Sequence, residues 1–344
     1  MKKTISKIII GAMALSLLAG CSGPAAGGQS GAASKAAAAS TEGVYMFGIL
    51  SYLNMTEDDM ALIMDGRKPA IKYLSKQGVA KYNMTDQGTI KVKFYDTLES
   101  IIMGLESGDI KATELPKCTA DYLVAHNDKL EVKLSYNMDK ADDFAKSVIN
   151  HLGVGFSFLV KEDNKALCEE LDKAISEMKK DGTLNKLVKD HINEGVFTEP
   201  KPIVYTKAGG DTLKIAVTGS LPPMDYVAPD GSFAGFNTAL CAELGRKLNK
   251  NIELIQVDSM GRAAALASGK VDAVFWTAGV NGNISAEEDE KFEKSGTEEQ
   301  KKIIESLKST GDRQKKESKD RPAGTIATQA YYSDQFNIVG KRSI

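Results

Sequence analysis

The chain has little excess charge of either sign, few cysteines and histidines, and no hydrophobic run long enough to be a confident membrane span. Its 44 Lys and Arg stand against 46 Asp and Glu, which provides none of the broad positive field that binding to a phosphate backbone relies on. Nucleic acid is therefore excluded as a partner. The 3 histidines, His126, His151 and His191, show no ligand spacing among themselves or with the cysteines. There is no HExxH, no Walker A loop and no CxxC, and Gly153-Val-Gly155 lacks the third glycine of a dinucleotide fingerprint. No catalytic residue, metal site or cofactor is expected. What is present is a globular composition, 42% hydrophobic and 26% charged over 344 residues, enough for about two domains with a real core.

The amino terminus carries Lys2, Lys3 and Lys7, then an apolar run over residues 8–18, then small residues. This is the shape of a secretory signal over residues 1–20, too short for a span. The closing Leu18-Ala19-Gly20-Cys21 resembles a bacterial lipobox, which implies that Cys21 is lipidated on its sulfur, palmitate included, and becomes the mature first residue. Cleavage removes three lysines and leaves 41 basic against 46 acidic residues, a net charge of −5. Residues 21–43 are mostly Gly, Ala and Ser, a composition that cannot offset its ordering entropy and predicts a flexible tether. The remaining cysteines, Cys118, Cys168 and Cys241, are odd in number and read as small buried hydrophobes.

Two α/β segments come next, 44–200 and 212–344, joined by a linker over 201–211 that contains Pro202, Gly209 and Gly210. Each carries a strand, a helical stretch and the pattern L-x-S-G-x-[IV]-x-A, as Leu105–Ala112 and Leu266–Ala273. The recurrence predicts two related strand-helix-strand units, with the glycine as a left-handed cap that turns the chain into the next parallel strand. Residues 166–192 predict two amphipathic helices broken at Gly182. In 286–321, 21 of 36 residues are charged, with thin apolar spacing apart from Ile303, Ile304 and Leu307. That insertion reads as a solvated helical excursion, or more sharply as a partner-docking surface.

Several stretches resemble the type 2 extracellular solute-binding proteins, in particular the amino-acid-binding branch (family 3) of ABC importers. The likeness rests on Leu221-Pro-Pro-Met-Asp-Tyr226, Asp230-Gly-Ser-Phe-Ala-Gly-Phe-Asn237, the LASGKVDA run and Thr328-Gln-Ala-Tyr-Tyr332 in the first-lobe pattern. It also rests on Gly155-Phe-Ser-Phe-Leu-Val-Lys161 and Lys180-Asp-Gly-Thr-Leu-Asn-Lys186 in the second-lobe and closing-helix pattern. The resemblance implies a two-lobed, hinged α/β periplasmic-binding-protein-like fold. The second-lobe pattern comes first, so a circular permutation is expected, against the alternative of two degenerate domains in tandem.

Carried over residue by residue, the family's cleft falls on Ser220, Leu221, Met224 and Tyr226 after one strand, and on Trp276, Thr277 and Gly279 after another. Ser51 and Asn54 are expected from the opposite lobe. The family's carboxylate-binding arginine is missing near Ile284, and its acidic anchor maps to Pro116. Arg262 and Glu114 are the expected replacements. The implied function is a monomeric, lipid-anchored solute-binding protein on the extracytoplasmic face of the cell membrane, passing an amino acid or related small-molecule ligand to an ABC permease. The alternatives are an enzyme on this scaffold, such as a dehydratase using Glu114, or a sensory or interaction lipoprotein with a degenerate cleft.

Overall fold

Residues 89–95, 213–217 and 251–256 are strands, and each lies in a parallel ladder. The computed structural model describes residues 43–51, 55–82, 88–196, 198, 203–205, 209–278, 286–318 and 322–342. The signal segment, Cys21, the tether up to residue 42, Asn54 and Gly279 lie outside the described residues.

In chain order, the first elements are β1 (Val44–Leu50), α1 (Glu57–Lys76), β2 (Ala80–Tyr82), β3 (Thr89–Tyr95), α2 (Leu98–Ser107), β4 (Ala112–Pro116), α3 (Lys117–His126), β5 (Leu130–Tyr136) and α4 (Asp143–His151). Then come β6 (Gly153–Lys161), α5 (Lys165–Lys180), α6 (Thr183–Leu187), β7 (Thr212–Val217), β8 (Ser220–Leu221), β9 (Asp225–Val227), β10 (Phe233–Ala234), α7 (Phe236–Leu248), β11 (Asn251–Gln256), α8 (Arg262–Ala267) and β12 (Ala273–Ala278). The chain continues through α9 (Ala286–Ser295), α10 (Glu298–Ser318), β13 (Thr325–Ala327) and β14 (Tyr332–Lys341).

The expected repeat is present in the topology. In one half the parallel order is β3-β1-β4, in the other β11-β7-β12, so each strand-helix-strand crossover skips over one earlier strand. The glycine of each repeat takes the left-handed conformation, Gly108 at φ +82 capping α2 and Gly269 at φ +73 just past α8. The side chain of any other residue would be strained there. Residues 166–192 also behave as expected, with α5 and α6 meeting at Gly182, whose φ is +80.

Alternation along the strands gives each half two buried faces. In the β1 lobe, Phe47, Ile49 and Val92 pack under α1 and α4, while Leu115 and Val339 pack under α2 and α3. In the β7 lobe, Ile215, Phe158 and Phe275 pack under α5 and α7, while Ala216, Leu159 and Val274 pack under α8. Both lobes are thus helix-sheet-helix layers, as the α/β expectation holds. Cys118, Cys168 and Cys241 are free and buried in the apolar cores. Among the described residues no helix is long and apolar enough to cross a membrane.

Two strands join the lobes. The first part of β14 pairs with β6, Tyr332 to Gln335 against Phe156 to Gly153, and the rest pairs with β4 and β5 from Phe336 onward. The chain also passes between cores where α4 ends and β6 begins. The packing boundary therefore differs from the one expected at about 200–212. β6, α5 and α6 belong to the β7 lobe, because Leu171, Ile175, Leu184 and Leu187 complete its core.

The charged insertion corrects the expectation of a solvated excursion. α9 and α10 come after β12 in sequence, yet they pack on α1 and α4 of the other lobe. Ile303, Ile304 and Leu307 enter the same core as α1, and Gly66 lets α10 approach closely, since a β-carbon there would lie 2.6 Å from Thr310 Oγ1. Asp289 is buried at 3% exposure, with His151 Nε2 2.9 Å from its Oδ1. The thin apolar stripe was enough because it is continuous with a core. Ile304→Ala is therefore expected to lower stability by about 2 to 5 kcal/mol in urea denaturation, the range for a buried large-to-small change. A loss under about 0.5 kcal/mol would restore the solvated reading.

Candidate functional site

The carboxyl ends of the parallel strands of both lobes converge on one cavity of about 150 Å³. Its walls come from the residues just after β1 (Ser51), β3 (Asp96, Thr97), β7 (Thr218) and β11 (Ser259, Met260), and from the ends of β4 (Glu114–Pro116) and β12 (Trp276, Thr277). Strand ends are where an open parallel sheet leaves loops free to carry a ligand, because the helices cover both faces.

Arg262, the first residue of α8, is the cation of this cavity. Its Nε donates to the Ser259 carbonyl at 3.1 Å and its Nη1 to the Phe275 carbonyl at 2.7 Å. The guanidinium lies over the Trp276 ring, 5.3 Å from the centroid. Burial lowers its pKa from the ordinary arginine value, opposed by the fields of Asp225 and Tyr331. Two backbone acceptors and a ring thus hold the group in place. No carboxylate among the described residues lies within ion-pair distance of it.

The acidic side of the cavity is already engaged. Glu114 Oε1 accepts from Arg67 Nη1 of α1 at 2.7 Å, and both side chains are below 10% exposed. Arg67 is further placed over the Phe336 ring at 5.8 Å. Asp225, 2% exposed, accepts the backbone N–H of Thr218 and of Gly219 at 2.8 Å each, the Thr218 hydroxyl at 2.5 Å and the Asn237 amide at 3.2 Å. The Tyr331 hydroxyl donates to Asn237 Oδ1 at 3.0 Å, and burial pushes that phenol well above its usual pKa. Asp225 thus fixes the strand-end loop that begins at Thr218. Asp96 sits exposed at the rim and accepts from the Ser51 hydroxyl at 3.1 Å.

Of the residues expected from sequence, Ser51, Glu114, Ser220, Leu221, Arg262, Trp276 and Thr277 line the cavity together. Met224 does not: it is fully buried in the β7-lobe core, because the turn between β8 and β9 folds it inward with its N–H on the Leu221 carbonyl. Tyr226 lies outside the cavity and stands near Tyr122 of α3, ring centroids 6.0 Å apart, so it meets the opposite lobe instead. Asn54 and Gly279 are outside the described residues. Sequence reasoning missed Asp225, Asn237 and Arg67. A signal existed for Asp225 and Asn237, which stand in the family-like motifs 221–226 and 230–237, but nothing in the pattern of α1 marks Arg67 as the partner of a residue 47 positions away.

Removing the Asp225 carboxylate would leave two backbone donors and the Asn237 amide without an acceptor in a buried place. Asp225→Ala is expected to cost about 3 kcal/mol or more in urea denaturation, and Asp225→Asn less, since one oxygen acceptor remains. A change in Asp225→Ala below about 0.5 kcal/mol would mean that the loop is held by other contacts.

Residues 213–283 match the family model of bacterial extracellular solute-binding proteins, family 3. No curated protein matches the chain. Among solved structures, holo ArgBP from T. maritima is similar at 10% identity over 88% of this chain and 84% of that chain, with a TM-score of 0.32. A binding protein component of an ABC phosphonate transporter from Pseudomonas aeruginosa is similar at 12% identity over 88% and 69%, with a TM-score of 0.33. The ancestral amino acid-binding protein AncCDT-1, a precursor of cyclohexadienyl dehydratase, is similar at 10% identity over 88% and 84%, with a TM-score of 0.36. The family-model match thus falls on residues 213–283, the stretch that holds most of the first-lobe motifs of the resemblance read from the sequence.

Proposed function

We propose that this chain is a lipid-anchored, extracytoplasmic solute-binding protein that captures a small carboxylate-bearing solute between its lobes for an ABC permease. The observation that carries this reading is Arg262, a cation in an interlobe cavity, held by two backbone carbonyls and a ring with no protein carboxylate paired to it among the described residues. Such a guanidinium is an incomplete ion pair whose other half is a ligand carboxylate. Apolar walls with a few oriented polar groups are the usual composition of a small-molecule site.

The strand order supports a permuted single unit over tandem domains, since residues 42–344 form one compact unit and share β14 across the lobes. The lobe whose pattern usually comes second is then the one that follows Cys21 first in the sequence. Lobe closure about β6 and β14 is the motion that would trap and release solute. The dehydratase alternative needs Glu114 as a free acid or base, and its engagement by Arg67 counts against that role. The docking-surface alternative is left with the exposed charged face of the insertion, since its apolar side chains enter the core.

A thermal-shift screen of small carboxylates and amino acids is expected to find a ligand, because saturation at 100 times the dissociation constant adds about 2.7 kcal/mol. Arg262→Gln should weaken that ligand at least about tenfold while the melting temperature of the free protein changes little. Absence of any stabilising solute, or full binding in Arg262→Gln, would contradict the reading. Cys21→Ala should move the protein from the membrane fraction to the soluble one, and retention in the membrane would refute the lipid anchor.

A further inference from the structure

We infer that the cleft selects a carboxylate with a compact apolar body and no ammonium group beside the carboxylate. This rests on the solute-binding reading above and deepens it by naming the solute class. An α-amino acid needs two charged partners close together, a cation for its carboxylate and an acceptor for its ammonium. The cavity offers the first in Arg262.

For the second, no carboxylate of the described lining is left unengaged inside the cavity as a charged acceptor. Glu114, on the wall opposite Arg262, is neutralised by Arg67 at 2.7 Å within a buried pair. Asp225 spends its two oxygens on four protein donors. The Ser259 and Phe275 carbonyls each already accept one hydrogen bond from Arg262, whose positive charge beside them disfavours a second cation there. Asp96 is the remaining carboxylate of the lining, and it lies exposed at the rim, where water screens its charge. An ammonium drawn in beside the carboxylate would meet neutral acceptors such as the Ser220 and Thr277 hydroxyls but no unengaged carboxylate inside the cavity, so its desolvation would be poorly compensated.

The rest of the wall fits an apolar body. Ile49, Phe156, Leu221, Phe275, Trp276 and Phe336 enclose a volume of about 150 Å³, the size of cavity that holds a benzene ring. Arg67 is thus a selecting residue that never needs to touch the solute. It sets the charge of the wall by occupying Glu114.

Titration calorimetry on the detergent-solubilised full chain tests this with matched pairs: 3-phenylpropionate against L-phenylalanine, and 4-methylpentanoate against L-leucine. The members of each pair differ by the ammonium group alone. The expected result is binding of at least one of the two acids, about a hundredfold or more tighter than its amino acid. Equal or tighter binding of the amino acids overturns the inference and leaves the solute-binding reading standing. Failure of both acids also overturns it; the wider solute screen then decides separately whether the cleft binds anything. In Arg67→Met, with its fold checked by circular dichroism, the freed Glu114 should narrow the acid-to-amino-acid ratio about tenfold or more. An unchanged ratio in a folded variant overturns the role assigned to Arg67, and if that variant does not fold, the wild-type pairs still decide.

Discussion

The strand β14 is shared by both lobes, and the rest of the molecule depends on that sharing. Its first four residues complete the ladder of β6, and the residues from Phe336 onward complete β4 and β5. A strand hydrogen-bonded on both sides of a cleft fixes which strand ends face each other, and the backbone crosses between the halves at only one other place, where α4 ends and β6 begins. The buried carboxyl of Asp334 sits at this point, accepting the N–H of Cys118 and of Gln335, and its pKa is raised by burial. Local polar contacts therefore tie the start of α3, and with it the cleft wall from Glu114 to Pro116, to the crossing strand.

Charge in the cleft is arranged by subtraction. Two buried acidic side chains reach the wall, and each is consumed: one holds a loop, the other faces an arginine from a helix behind the sheet. What remains inside is a cation framed by aromatic and aliphatic groups. A buried ion pair is poor evidence of stability in itself, because desolvation offsets much of the attraction. Its consequence here is that the Glu114 charge is offset within the wall by Arg67, whereas Arg262 has no such carboxylate partner among the described residues.

Much of the fold was legible because periodicity and glycine placement are local. The L-x-S-G-x-[IV]-x-A repeat predicted both crossovers, Gly108 and Gly269 take the left-handed conformation expected of its glycine, and Gly182, expected as a helix break, is left-handed too. The core boundary was less legible, since β6, α5 and α6 read as continuous with the β1 lobe that precedes them in sequence and yet pack into the β7 lobe. The insertion misled for a physical reason: three apolar side chains among 21 charges look solvated until a neighbouring core receives them. Within the site, Arg262, Glu114 and Trp276 were within reach of the sequence, because each lies near a strand end. Met224 was not separable from its neighbours by pattern, as a two-residue difference in a turn decides whether a side chain faces the cleft or the core. Arg67 was invisible because its role exists only through a contact distant in sequence.

The chain contains 1 tryptophan, and it lines the cavity beside the Arg262 guanidinium. Fluorescence titration of Trp276 is therefore the most direct measurement of the central claim, that solute is held between the lobes at Arg262. A carboxylate that stabilises the protein should change the Trp276 emission saturably, at the same concentration that stabilises it and in proportion to lobe closure. A solute that binds with no change in that emission would place the site elsewhere and contradict the account.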